Sequence, residues 1–143
     1  MLQRPLPALF DDLHRAAIDE LHARLAEEGY DDVRPSHGCV FRFIDEEGSR
    51  LTDLADRARL TKQAVGEFVS DLEELGYVER VPDPRDGRAK TVRLTRKGVE
   101  AQAFARSVFD RIERRWAAEV GEAEMATVRE ALEALCAETA VPA

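Results

Sequence analysis

The sequence predicts a mainly α-helical protein with one small β-hairpin, an α+β architecture in a single domain. Three observations lead there. Apolar residues recur at spacings of three and four over most of the 143 residues, the signature of amphipathic helices. That period gives way to strict alternation at residues 77–81 and again near 91–94, on either side of the turn-forming run Pro82, Asp83, Pro84, Arg85, Asp86, Gly87. The composition, 44% hydrophobic and 35% charged, is that of a globular chain able to bury a core without disulfides or structural metal.

The elements follow in order. Phe10, Leu13, Ala17, Leu21 and Leu25 line one face of a first helix, from about residue 9 to 28, closed by Gly29. A polar loop leads to Ser36, read as the N-cap of a helix through Val40, Phe41 and Ile44 to about residue 47. Thr52 is read as the N-cap of a two-turn helix with Leu54, Ala55 and Ala58 inward. Arg59 and Leu60 form a tight turn, and Thr61 caps a helix over 61–75 whose inner face is Val65, Phe68, Val69, Leu72 and Leu75. The hairpin comes next. Thr95 then caps a long helix to about residue 120, striped by Phe104, Val108, Ile112 and Trp116. Gly121 breaks it, and a last helix, about 124–138, sets Met125, Val128, Leu132 and Leu135 in a coiled-coil-like seam. These terminal stripes exceed what one small lobe can bury. Leaving Trp116, Ile112, Leu132 and Leu135 wet makes an unusual patch, so a homodimer is expected.

Charge is distributed unevenly. The net charge is −8, which taken whole argues against nucleic acid. Yet residues 80–97 hold Arg80, Arg85, Arg88, Lys90, Arg93, Arg96 and Lys97 against Asp83 and Asp86. A basic feature on an acidic body can hold one face on DNA. Two short helices joined by a tight turn have the form of a helix-turn-helix, whose second helix enters the major groove by its N-terminal end. Its exposed residues are Thr61, Lys62, Gln63, Gly66, Glu67 and Ser70. Gln63 suits an adenine edge, and Lys62 a guanine or a phosphate. At the hairpin tip, Arg88 and Arg85 are candidates for a narrow minor groove, with Asp86 placed to orient the Arg88 guanidinium and Lys90 adding charge.

Residues 51–98 resemble the core of the MarR (multiple antibiotic resistance regulator) family. The resemblance lies in the LTDLA helix, the LEELGYVER junction, and the wing pattern met by Asp86, Arg88, Val92, Leu94 and Thr95. It covers about a third of the chain strongly. It implies a winged helix-turn-helix lobe at about 36–97 and dimerisation helices at about 6–28 and 98–140, all within one domain over 1–143. It also implies a recognition helix at 61–75, a wing at about 81–92, Arg88 in the minor groove and Asp86 as its partner. The implied partners are double-stranded DNA at a pseudo-palindromic site, a second copy of the chain, and a small aromatic or phenolic effector. Repression is the family's commoner mode. His37, Phe41 and Trp116 are pocket guesses by position. Many members carry Ser or Thr and then a basic residue where this chain has Gly66 and Glu67, so the base contacts here are expected to differ.

Other classes are weaker. His14, His22 and His37 lie in no metal-binding spacing, and neither a phosphate-cradling glycine loop nor a nucleophile elbow is present. No enzyme, metal or cofactor is therefore expected, although Asp11 and His14 with Cys39 or His37 could build a metal sensor. Cys39 and Cys136 are read as small buried hydrophobes, with a redox thiol as the other reading. A winged helix used as a protein-interaction module would have lost the basic tip. No segment reaches the roughly 18 apolar residues of a membrane span, and residues 1–10 lack a secretion signal, so a cytoplasmic location is expected.

Overall fold

The computed structural model describes residues 2–139; residues 1 and 140–143, the extreme ends of the expected domain and of its last helical segment, lie outside the described residues. Helix α1 (Leu6–Glu27) begins earlier than the apolar stripe suggests. Pro5 is its N-cap and Pro7 lies in its first turn, where a missing N–H costs nothing. It ends at Gly29, whose φ of +99° is readily reached without a side chain.

A 3-10 turn (Pro35–His37) leads into α2 (Gly38–Phe43), which is shorter than expected. Ser36 makes no cap bond; the Arg34 N–H donates instead to His37 Nδ1 at 3.1 Å. Ile44 is extended, and the guanidinium of Arg57 donates to the Phe43 carbonyl at 2.7 Å and to Asp45 at 3.1 Å, holding the chain where it leaves the helix. Ser49, left unassigned by sequence, forms a short antiparallel bridge to Val92, with both backbone bonds at 2.8 Å.

Helix α3 (Leu51–Ala58) starts one residue before Thr52, which therefore sits in the first turn and is not the cap; Arg50 holds that position without a side-chain bond. Arg59 turns the chain in the left-handed region at φ +56°. Thr61 caps α4 (Lys62–Glu74), its Oγ1 accepting from Ala64 N–H at 3.1 Å. Strands β1 (Val78–Pro82) and β2 (Lys90–Leu94) pair antiparallel, with Val78 opposite Leu94, Arg80 opposite Val92 and Pro82 opposite Lys90. Thr95 caps α5 (Arg96–Val120), its Oγ1 accepting from Gly98 N–H at 3.2 Å. Gly121, at φ +109°, breaks the chain before α6 (Glu122–Glu138).

Two apolar clusters result. The lobe core gathers Val33, Val40, Leu54, Ala55, Val65, Val69, Leu72, Tyr77, Val78, Val92 and Ala101. The second joins Ala17, Leu21 and Leu25 of α1 to Val108 and Ile112 of α5. Tyr30 packs against both, 6.1 Å from the Tyr77 ring and 6.2 Å from Phe104. Ile112 is thus buried within the protomer by α1, and Trp116 is half-buried there; both leave the set of wet residues expected from sequence. Leu6, Phe10 and Leu13 of α1 and Val128, Leu132 and Leu135 of α6 stay exposed. Among the described residues no helix is long and apolar enough to cross a membrane.

Candidate nucleic-acid interface

The amphipathic period of α4 decides which of its residues face outward. Val65, Val69 and Leu72 are buried against α3 and the hairpin. The opposite face, with Leu51, lines an open groove formed by Lys62, Gln63, Gly66, Glu67, Ser70, Asp71 and Arg80. Thr61, Lys62, Gln63, Glu67 and Ser70 are exposed and Gly66 half-exposed. The structure therefore brings the expected helix residues onto one surface. The cap by Thr61 satisfies the Ala64 N–H, while the N–H groups of Lys62 and Gln63 have no intrahelical acceptor. They add the partial positive charge of a helix N-terminus to that of Lys62.

The hairpin tip is organised by carboxylates. Asp83 is 7% exposed and accepts from Arg85 N–H at 2.8 Å and from Arg50 Nε at 2.8 Å. These two donors, the Arg85 backbone first, hold its carboxyl below the usual range. The Arg50 pair ties the wing base to the start of α3. Asp86 accepts from the backbone N–H of Arg88 at 3.1 Å. The expected pairing of Asp86 with the Arg88 guanidinium is absent: the carboxylate shapes the turn and leaves the guanidinium free. Sequence reasoning assigned Asp83 only to a turn, and Arg50 to nothing, because they are 33 residues apart and no local pattern joins them.

The basic residues of 80–97 fall into two groups. Arg80 is paired with Glu73 at 2.7 Å and donates to Ser70 Oγ at 3.3 Å. Arg93 pairs with Glu79 at 2.6 Å and Arg96 with Glu100 at 3.3 Å. Lys97 donates to the Leu75 carbonyl at 2.9 Å and lies 4.3 Å from the centroid of the Tyr77 ring. Arg85, Arg88 and Lys90 are exposed and have no ion-pair partner among the described residues; Lys62 is the same. Lys62 at the N-terminus of α4 and Arg85, Arg88 and Lys90 on the wing are therefore uncommitted, as is Arg59 in the preceding turn, while Arg80, Arg93 and Arg96 are ion-paired.

Behind α4 lies a group that sequence reading placed only as a pocket guess. His37 is 0% exposed; its Nδ1 accepts from Arg34 N–H, so its Nε2–H points to Asp71 of α4 at 3.4 Å. Asp71 also accepts from Arg34 at 2.7 Å. Burial is the largest influence on His37 and pushes its pKa down, against the opposing pull of Asp71. Phe41 stacks edge-on against Tyr77 at 6.0 Å, and its carbonyl accepts from Gln102 at 2.7 Å. Trp116 belongs to the α1–α5 cluster. Within the protomer these three do not converge. Cys39 is half-buried, and burial raises its pKa, opposite to the activation of a redox thiol. Cys136 is exposed in the protomer and not buried as expected. Asp11 pairs with Arg15, and no cluster of three potential metal ligands occurs among the described residues.

Residues 31–89 match the model of the MarR family. Over that stretch the chain is similar to the MarR family. Its curated relatives are transcriptional regulators. The activator ExpG of Rhizobium meliloti is 28% identical over 94 residues, covering 66% of this chain and 48% of that protein. HosA of Escherichia coli is 29% identical over 99 residues, covering 69% of this chain and 73% of that one. The match thus spans about half of ExpG. The MarR fold extends over nearly the whole chain. A mutant of S. aureus MepR superposes with a TM-score of 0.70 at 19% identity, over 95% of this chain and 99% of that one. BldR of Sulfolobus solfataricus gives 0.69 at 24% identity, over 93% of each. Another MepR mutant, solved bound to an oligodeoxyribonucleotide, gives 0.62 at 19% identity over 96% and 99%. In MarR terms α3 and α4 are the helix-turn-helix and β1–β2 the wing.

Proposed function

We propose that this protein is a member of the MarR family and a sequence-specific DNA-binding transcriptional regulator acting as a homodimer. In this reading α4 lies in the major groove through Thr61, Lys62, Gln63, Gly66 and Ser70. The wing reaches a minor groove through Arg88, with Arg85 and Lys90 on phosphates and Asp86 shaping the tip. One observation carries it: Lys62, Arg85, Arg88 and Lys90 are uncommitted cations, while Arg80, Arg93 and Arg96 are paired internally. Phosphate binding requires such free charge. The oligonucleotide-bound MepR lends the reading support by likeness of fold.

The second copy is expected to cover the exposed apolar residues of α1 and α6, making one domain of the lobe and the terminal helices. Two-fold symmetry then sets half-sites roughly 34 Å apart, or multiples of that. Repression follows where the dimer occludes a promoter; the activator ExpG marks the other sign. A small aromatic or phenolic effector is proposed as a releasing ligand, with His37, Phe41 and Trp116, which lie apart within the protomer, as candidate contacts. MepR has also been solved with ethidium bromide. Trp116 is the single tryptophan, so its fluorescence reports directly on effector titrations.

The test is fluorescence anisotropy with duplex DNA from upstream of the protein's own gene, against a shuffled duplex, at two salt concentrations. Tight, salt-dependent preference for the upstream duplex supports the reading. No binding at low salt by the folded protein sinks it in favour of a winged-helix protein-interaction module.

A further inference from the structure

Two adjacent residues on the groove face of α4 serve no purpose within the protomer. Gly66 lies mid-helix, where glycine costs about 1 kcal/mol relative to alanine. Its φ is ordinary, and an added Cβ would meet only Leu51 Cδ2 at 3.5 Å, a normal contact. Nothing inside the fold demands glycine there. Glu67 is exposed and has no hydrogen-bond or ion-pair partner among the described residues. It differs in this from the acidic residues beside it, since Asp71 is held by Arg34 and Glu73 by Arg80. A free carboxylate on a surface meant for DNA repels phosphate unless it finds a donor. In the major groove the donors are the amino groups of cytosine and adenine, and adenine pairs its amino group with the N7 acceptor, which repels a carboxylate.

We propose that Glu67 reads a cytosine through its N4 amino group, with the bare backbone at Gly66 letting α4 seat close enough for the short carboxylate to reach. This rests on the placement of α4 in the major groove. Gln63 and Glu67 are one turn apart, about 6 Å along the axis, so the cytosine lies within about two base pairs of the base facing Gln63. The carboxylate also excludes alternatives, because guanine and thymine present acceptors at that edge.

The experiment is selection of the full-length protein on a duplex library with randomised half-sites, for wild type, Glu67→Ala and Glu67→Gln, each checked for folding by circular dichroism. The expected result is a cytosine enriched at symmetric positions by wild type. Glu67→Ala flattens that position alone and loses roughly tenfold affinity for the wild-type site. Glu67→Gln moves the preference from cytosine to adenine, the base a glutamine amide pairs with. A selected motif that does not change with Glu67, or uniform tightening in Glu67→Ala, overturns the proposal and leaves the major-groove placement standing. A wild-type protein that enriches no motif overturns both.

Discussion

Replacing Gly98 with alanine tests how the wing is fixed to the long helix. Gly98 lies in the first turn of α5, and a Cβ there would stand 2.0 Å from the Tyr77 carbonyl oxygen and 3.1 Å from its carbon. Both neighbours are backbone, so no side chain can swing aside. The helix and the start of β1 must part by about 1 Å before even a tight contact is reached. That movement also stretches the bond from Thr95 N–H to the same carbonyl, now 3.0 Å, worth about 1 kcal/mol. Overpacking of this kind costs about 1–3 kcal/mol, and helix propensity returns at most about 1 kcal/mol. The expected loss is therefore about 1–3 kcal/mol, a fall in midpoint of roughly 3–10 °C for a chain of this size. Gly66→Ala is the matched control: same substitution, same element type, but only a 3.5 Å contact with a leucine methyl. It should gain about 0.5–1 kcal/mol. Both are read by thermal and urea unfolding at a fixed protomer concentration, because dimerisation makes the midpoint concentration-dependent. Equal midpoints for Gly98→Ala and wild type, or an equal loss in Gly66→Ala, would refute the argument from close approach.

Three further outcomes are expected. Arg88→Ala should weaken DNA binding and make the slope of log affinity against log salt shallower by about one; an unchanged slope means that this guanidinium does not reach the duplex. Arg50→Ala removes the side-chain donor from Asp83, and hydrogen exchange should quicken at residues 83–90 while the global unfolding midpoint stays near wild type. Its Asp83 carboxyl should titrate higher than in wild type by NMR. In the intact protein the lowered Asp83 pKa gives stability present above the unfolded value and lost as pH falls through the folded one. His37 has the same sign by a different route: burial favours the neutral ring, so stability is full above about pH 6.5 and declines as pH falls through the lower folded value. Unfolding midpoints measured from pH 7.5 to 5 should fall less steeply in His37→Gln than in wild type, and parallel curves would remove His37 as the cause.

Periodicity and capping are local, and they carried most of the fold. The inner face of α4, the stripe of α5, the caps at Thr61 and Thr95 and the glycine stops at 29 and 121 each depend on residues within a turn or two of one another. All were legible before the structure, as was the basic hairpin. The exposed row on α4 followed from the same period. What failed was also local in appearance but decided elsewhere. Helix α2 stops at Phe43 because Arg57 holds the exit, and Thr52 lies inside α3 and not at its cap. Ser49 makes a bridge because Val92 lies beside it.

The sequence by itself determined the order and type of elements, and that free positive charge would gather at a hairpin tip next to a helix-turn-helix. Only the tertiary structure decided which cations are free. Glu73 neutralises Arg80 and Glu79 neutralises Arg93 across the folded surface, whereas Arg85, Arg88 and Lys90 have no ion-pair partner among the described residues. It likewise decided that Asp83 braces the wing through Arg50, that His37 backs α4 through Asp71, and that Gly98 is a contact point and not a spare residue. The physical reason is common to all of them. Helix and strand periods are written into neighbouring residues, but a charge, a buried ring or a missing methyl takes its meaning from partners brought within a few ångströms by folding.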